Sequence, residues 1–279
     1  MRVFLILTLF ASSYSNVIEN RFGNEWTYRP KDDFICDFIG CCGEENNPCS
    51  PDHWKFINYD TFSRCQTNQQ SPINLESDKE YLKTTEPILF TQPYCNGTIV
   101  QKNNTWEVDF VQDEKCSVSI SNHTWSLHNF HIHNAEHTIN SEYYPLEIHY
   151  VHTDSDNHLM VMALFVSGST KMIYEPLLNV FRQNSTVSLN RIDPYSIIQE
   201  NPSYWNYQGS LTTPPCQVSN DSHVDWFVLK DDLEINHHQI RYFTQYLEHV
   251  SKSYHGRVSR PIQDILQNTV ITEYDHGSS

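Results

Sequence analysis

The chain has 279 residues, with Lys and Arg at 18 positions against 34 for Asp and Glu, so its formal net charge is -16. That balance excludes a nucleic-acid binder that works by releasing phosphate counterions, because such a protein needs a basic footprint. Apolar residues at 38% and aromatics at 13% are enough for a packed core and exclude wholesale disorder, while only 8 glycines accompany them.

Residues 1–15 read as a secretory signal peptide: Arg2 supplies the basic start, Val3 to Ala11 the apolar run, and Ser12, Ser13 and Ser15 the small-residue exit. The run is too short to span a bilayer, which takes roughly 20 apolar residues, and no membrane anchor is expected. Residues 16–52 form a polar, Cys-rich extension, with Cys36, Cys41, Cys42 and Cys49 spaced C-x4-C-C-x6-C. A zinc knuckle would show a C-x2-C pair, so disulfides are expected there instead. The other cysteines are Cys65, Cys95, Cys116 and Cys216. Cys95 and Cys116 flank one strand region and are expected to pair. Acceptor tripeptides at Asn96, Asn103, Asn122, Asn184 and Asn220 agree with export and N-glycosylation.

From residue 53 to 268 the pattern becomes short β-like runs broken by Pro, Asn, Asp and Ser. Strands are expected at Thr105–Phe110, Cys116–Ile120, Thr124–His133, Leu146–His152, His158–Ser167 and Val224–Leu229. Asn236 with Gln239 three residues on predicts a capped helix whose Ile240, Phe243 and Leu247 share a face. A shorter helix is expected near Glu175–Phe181. Residues 269–279 read as a polar tail. The expected fold is a single, mainly β domain with a twisted, mostly antiparallel central sheet and a few peripheral short helices.

Chemistry concentrates between Asn129 and His152. In a strand His131 and His133 project to one face, and a turn near Asn140–Glu142 brings His149 beside them from an antiparallel neighbour. Glu147, two residues before His149, shares its face, where a carboxylate fixes the orientation of a ligating imidazole. Three imidazoles on adjacent strands suit a four-coordinate Zn2+ with one position left for water. A second reading takes His131, His133 and Glu136 as a cupin-like N2O site for Fe or Mn, which leaves His149 without a role.

Longer motifs extend this set. Gln70-Ser-Pro-Ile-Asn-Leu75 resembles the Q-S-P-I-N-[IL] signature of the α-class carbonic anhydrases. His131-Ile-His133, Glu136-His137-Thr138 and Glu147-Ile-His149-Tyr-Val-His152 resemble that family's F-H-x-H, S-E-H-T and E-x-H-x-V-H motifs in order. Tyr204 to Cys216 resembles its Y-x-Y-x-G-S-L-T-T-P-P-C segment, and Ser259-Arg-Pro-Ile-Gln263 its closing N-x-R-P-x-Q. The resemblance runs from about Trp54 to Gln263.

It implies reversible hydration of CO2 to bicarbonate and a proton, with Zn2+ held by His131, His133 and His149 at the base of a conical cleft. Thr212 would take a hydrogen bond from the attacking hydroxide and pass its own proton to Glu136. Glu147 would hold His149, and Asn129 would stand behind His131. Val151, Val161, Leu211, Val224 and Trp226 would form the apolar wall where CO2 rests, with Thr213 lining the same pocket. Cys65 and Cys216 would be the pair bridged in exported members.

The departures are local. Asn104 occupies the position of the family's usual proton-shuttle histidine. His128 is offered as a substitute, although strict alternation turns it away from His131 and favours reading it as an ordinary surface or packed histidine. Asn129 replaces a Gln one methylene longer, which suggests a grip on His131 through water. The short His133–Glu136 spacing resembles bacterial, plant and algal members, and Val258 replaces the closing motif's Asn. A non-catalytic acidic matrix module on the same fold is the alternative function, but relatives that lost catalysis typically lost a zinc ligand.

Overall fold

The computed structural model describes residues 65, 69–92, 94–101, 105–110, 116–170, 178, 186–216, 223–251 and 259–277. Residues 1–15, read as a signal peptide, the Cys-rich residues 16–52 and the helix expected near Glu175–Phe181, except Leu178, lie outside the described residues. So do Asn103, Asn104, Asn184 and Asn220.

In chain order the strands are β1 (Asn74–Leu75), β2 (Leu82–Lys83), β3 (Leu89–Gln92), β4 (Cys95–Gln101) and β5 (Trp106–Phe110). Next come β6 (Ser117–Ile120), β7 (His123–His133), β8 (Thr138–Ile139), β9 (Leu146–Thr153) and β10 (Leu159–Ser169). The last are β11 (Val187–Ile192), β12 (Tyr204–Gly209), β13 (Val224–Leu229), β14 (Leu233–Asn236) and, after helix α1 (His237–Ser251), β15 (Ile271–Tyr274). One 13-stranded sheet runs β11-β4-β5-β7-β9-β10-β13-β12-β15-β2, with β14 on β10 and the β3–β6 pair joined to β7. Most neighbours are antiparallel; β10 meets β13 and β14, and β15 meets β2, in parallel.

Two-residue alternation sorts each central strand between two apolar cores. On β10, Met160, Met162, Leu164 and Val166 join one core, and Val161, Ala163 and Phe165 the other. A strand buried on both faces therefore reads as a continuous apolar run. On β7 and β9 the first core takes Phe130, Ile132, Leu146, Ile148 and Tyr150. The opposite face is left for Asn129, His131, His133, Glu147, His149 and Val151.

Helix α1 closes the first core. Gln239 N donates to Asn236 Oδ1 at 3.0 Å, Asn236 Nδ2 returns to Gln239 Oε1 at 3.1 Å, and Phe243 and Leu247 are fully buried. Disulfides join Cys65 to Cys216 and Cys95 to Cys116.

Two expectations change. The polar tail at 269–279 is not wholly a tail, because Ile271–Tyr274 pairs with both β12 and β2. Its polarity is deceptive: Ile271 and Glu273 face inward, and Glu273 is matched by Lys230 at 2.7 Å and Lys83 at 2.5 Å. The alternation expected on β7 is broken by a bulge between Leu127 and Asn129.

His152 is fully buried beside Tyr195, and burial holds its pKa down from 6.5 to about 3. The folded protein therefore binds fewer protons than the unfolded chain between those values, and stability rises with pH there. Denaturant unfolding should lose up to about 1.4 kcal/mol per pH unit from this group as pH falls below 6.5. A His152→Gln variant should lose less stability over the same range than the parent.

Candidate metal centre

The site is built where β7 and β9 lie side by side. Their register sets His131 opposite His149 and His133 opposite Glu147. Each histidine is then oriented by a hydrogen bond that leaves its other ring nitrogen facing inward. His131 Nδ1 donates to Asn129 Oδ1 at 3.0 Å, His133 Nδ1 to the Asn134 carbonyl at 2.6 Å, and His149 Nε2 to Glu147 Oε1 at 2.7 Å. The remaining lone pairs, on His131 Nε2, His133 Nε2 and His149 Nδ1, belong to a group whose ligand atoms lie within 4.8 Å of one another. His133 Nε2 and His149 Nδ1 stand 3.0 Å apart. Two lone pairs at that separation repel unless a cation lies between them, so the residues fit a metal. Neutral imidazoles around one open position suit Zn2+. His149 stays neutral because burial, with His133 beside it, pulls its pKa down to about 3.

Glu147 is the pivot. It is fully buried and accepts four hydrogen bonds: from Glu136 N, His137 N, His137 Nδ1 and His149 Nε2. Burial opposes its charge, but the attraction and hydrogen bonds of His137 and His149 win and hold its carboxyl well below the usual range. His137 Nε2 meets Tyr207 Oη at 2.8 Å, and Tyr207 Oη lies 2.8 Å from Ser71 Oγ. Ser71 and Ser210 bond reciprocally, Ser71 N to Ser210 Oγ at 3.0 Å and Ser210 N to Ser71 Oγ at 3.1 Å. Only glycine fits at 209, since a Cβ there would sit 2.1 Å from Ser71 Oγ.

Glu136 is buried beside the triad, and burial lifts its pKa above the ordinary value against the influence of His133 and Thr212. Arg260 N donates to its Oε1 at 2.9 Å. Its Oε2 lies 4.0 Å from His133 Nε2 and has no full hydrogen bond, with the Thr212 hydroxyl as the polar group that approaches the carboxylate. Glu136 is therefore not grouped with the ring nitrogens, and His149 is, which goes against the cupin-like set. Val161, Val224 and Trp226 pack in one cluster with Val151 and Leu211 against it, and Thr213 is half-buried on the adjoining loop.

Two local readings are corrected. Asn129 grips His131 directly, not through water. The bulge also turns His128 toward Asn129, whose Nδ2 lies 3.4 Å from His128 Nδ1. Period-two reasoning cannot place a side chain across an inserted residue. Sequence reasoning missed His137, Tyr207, Ser71, Ser210 and Arg260 as site residues. They lie inside the recognised motifs, but their roles depend on contacts between segments far apart in the chain. Asn122 is exposed in the β6–β7 turn, whereas the Asn96 side chain accepts from Arg191 N at 2.8 Å. Among the described residues no helix is long and apolar enough to cross a membrane.

A Glu147→Gln variant should lower zinc affinity by roughly 10- to 100-fold, since the His149 ring loses its charged acceptor. Zinc retained against a graded chelator series would measure it; unchanged retention would show that Glu147 does not orient the ligand.

The family model described as eukaryotic-type carbonic anhydrase matches residues 49–274. The rat mitochondrial carbonic anhydrase 5B is 26% identical over 86% of this chain and 84% of its own. A carbonic anhydrase of Neisseria gonorrhoeae is 28% identical over 80% and 84%. The α-carbonic anhydrase of Thermovibrio ammonificans, solved with the inhibitor sulfanilamide, superposes at a TM-score of 0.70 with 25% identity, covering 90% of this chain and all of that one. Dioscorin complexed with ascorbate shares the fold at a TM-score of 0.73 and 20% identity, covering 91% of this chain and all of that one. With the match extending through most of the chain and over every motif of the site, this protein belongs to the eukaryotic-type carbonic anhydrase family.

Proposed function

We propose that the chain is an exported, zinc-dependent carbonic anhydrase that converts CO2 and water reversibly into bicarbonate and a proton. The observation that carries this reading is the convergence of three imidazole lone pairs whose outer nitrogens are each committed to an acceptor. His131, His133 and His149 would hold Zn2+, which supplies the acidification of water toward neutral pKa for which carbonic anhydrases are the standard example. All three donors are neutral, so they leave the ion's charge undiminished.

The remaining residues position the reactants. Glu136, fixed at Oε1 by Arg260 N, draws the Thr212 proton to its free oxygen. A threonine committed in that direction offers only lone pairs to the attacking oxygen. It therefore accepts a hydrogen bond from hydroxide and discriminates against a partner with no proton to give. Val151, Val161, Leu211, Val224 and Trp226 present carbon surface that suits an uncharged, apolar gas better than the bicarbonate product. Thr213 lines the same pocket. His128, brought to the Asn129 side by the bulge, is the group assigned to carry the released proton toward buffer. The Cys65–Cys216 and Cys95–Cys116 bridges support an oxidising, extracellular or lumenal setting, with Asn122 exposed for glycan addition. A non-catalytic acidic module on this fold would have no need of converging lone pairs.

Stopped-flow CO2 hydration should detect activity that tracks zinc content and is inhibited by sulfanilamide. Thr212→Ala should cut kcat/KM roughly 100-fold with zinc unchanged, and His149→Ala should lose both metal and turnover. A preparation carrying one zinc in this site that fails to hydrate CO2 overturns the proposal.

A further inference from the structure

A second imidazole–carboxylate cluster lies at the β9–β10 hairpin, in the segment Asp154-Ser-Asp-Asn-His158. The Asp154 side chain is 2% exposed. Its Oδ1 accepts the Asp156 and His158 backbone N–H groups at 2.9 and 2.8 Å, which fixes the carboxylate in the turn. Its Oδ2 faces two imidazoles, His158 Nδ1 at 2.9 Å and His123 Nε2, from the first residue of β7, at 3.1 Å. The Asp156 carboxylate completes the group: ligand atoms of Asp154, Asp156 and His158 all lie within 4.8 Å of one another. Both imidazoles are about half exposed, 49% for His123 and 57% for His158, so solvent reaches the buried carboxylate from the side they occupy.

We infer that Asp154, Asp156 and His158 form a second site for a divalent transition-metal ion, with Zn2+ as the ion of choice and His123 as the hydrogen-bond partner that holds Asp154. Two ligands each about 2.0–2.2 Å from one ion stand roughly 2.9–3.4 Å apart at ordinary coordination angles, and the His158–Asp154 separation of 2.9 Å falls in that range. The donor set is one nitrogen and two oxygens, with the remaining positions open to water. Imidazoles select against Ca2+ and Mg2+, and two carboxylates supply the charge to neutralise a dication. Asp154, Asp156 and Asp225 all surround His158 with negative potential, which draws a cation as it draws a proton. The site is separate from the triad: five residue steps of extended chain, roughly 16 Å, separate His149 from Asp154. Its existence does not depend on the proposed catalytic activity.

Equilibrium dialysis of the full chain against buffered Zn2+ tests this. Two zinc ions per chain are expected. Asp156→Asn and His158→Ala should each weaken the second by tenfold or more while leaving the first and CO2 hydration intact, and His149→Ala should do the reverse. Asp156 and His158 are both exposed, so these variants should fold; His158→Gln, which keeps a polar side chain at the position, provides a second check. A His149→Ala chain that binds no zinc, or a second zinc that survives both hairpin substitutions, means that the cluster is only a hydrogen-bonded hairpin and overturns the inference.

Discussion

A carboxylate with no exposure to water holds this structure together chemically. Glu147 is tolerable in the interior only because four N–H groups meet it. Satisfying that charge ties three segments into one geometry. It orients His149 on its own strand, anchors the loop backbone at Glu136 and His137, and through His137 reaches Tyr207 and Ser71. The loop that places Glu136 near the triad is thus held by the same anion that aims a ring at the metal. Ligand orientation and placement of the second carboxylate are not independent properties.

The sheet provides what the anion needs. Central strands carry apolar side chains toward two cores, and on β7 and β9 one of the two faces gives its positions to polar groups. The cost of that substitution is contained because each polar group has a partner: Asn129 for His131, the Asn134 carbonyl for His133, Glu147 for His149. Arg260 acts similarly at the other end of the site, where its guanidinium meets Gln70 Oε1, the Ser71 carbonyl and the Cys65 carbonyl. Burying a guanidinium is unfavourable unless its donors are used, and here they fasten residues 65–71 to the closing segment at Arg260.

Much of this was legible in residue order. The alternation of His131 and His133, the reversal near Asn140 and the Asn236 cap are local patterns with local causes, and the structure contains each: Asn140 and Ser141 adopt positive φ and Glu142 N bonds to Ile139 O. The strand limits of β13 match the apolar run that announces them. Other features were hidden for definable reasons. β15 looked like solvent-exposed chain because its buried Glu273 is neutralised by lysines from two other segments. β12 was read as a motif of functional residues and not as a strand, although the same Tyr204–Gly209 stretch does both. The bulge at His128 has no Gly or Pro to mark it. The His137–Tyr207–Ser71 relay joins residues 70 and 136 positions apart, and no periodicity reports such separations.

The Cys65–Cys216 bond encloses a segment with a sequence separation of 151 residues, and the proposed ligands, Glu136, Glu147, Thr212 and Thr213 all fall inside it. A protease that cuts one exposed turn within this covalent ring would not free a fragment, since both halves stay tethered through sulfur. A single nick of that kind would open the chain without dispersing its working parts.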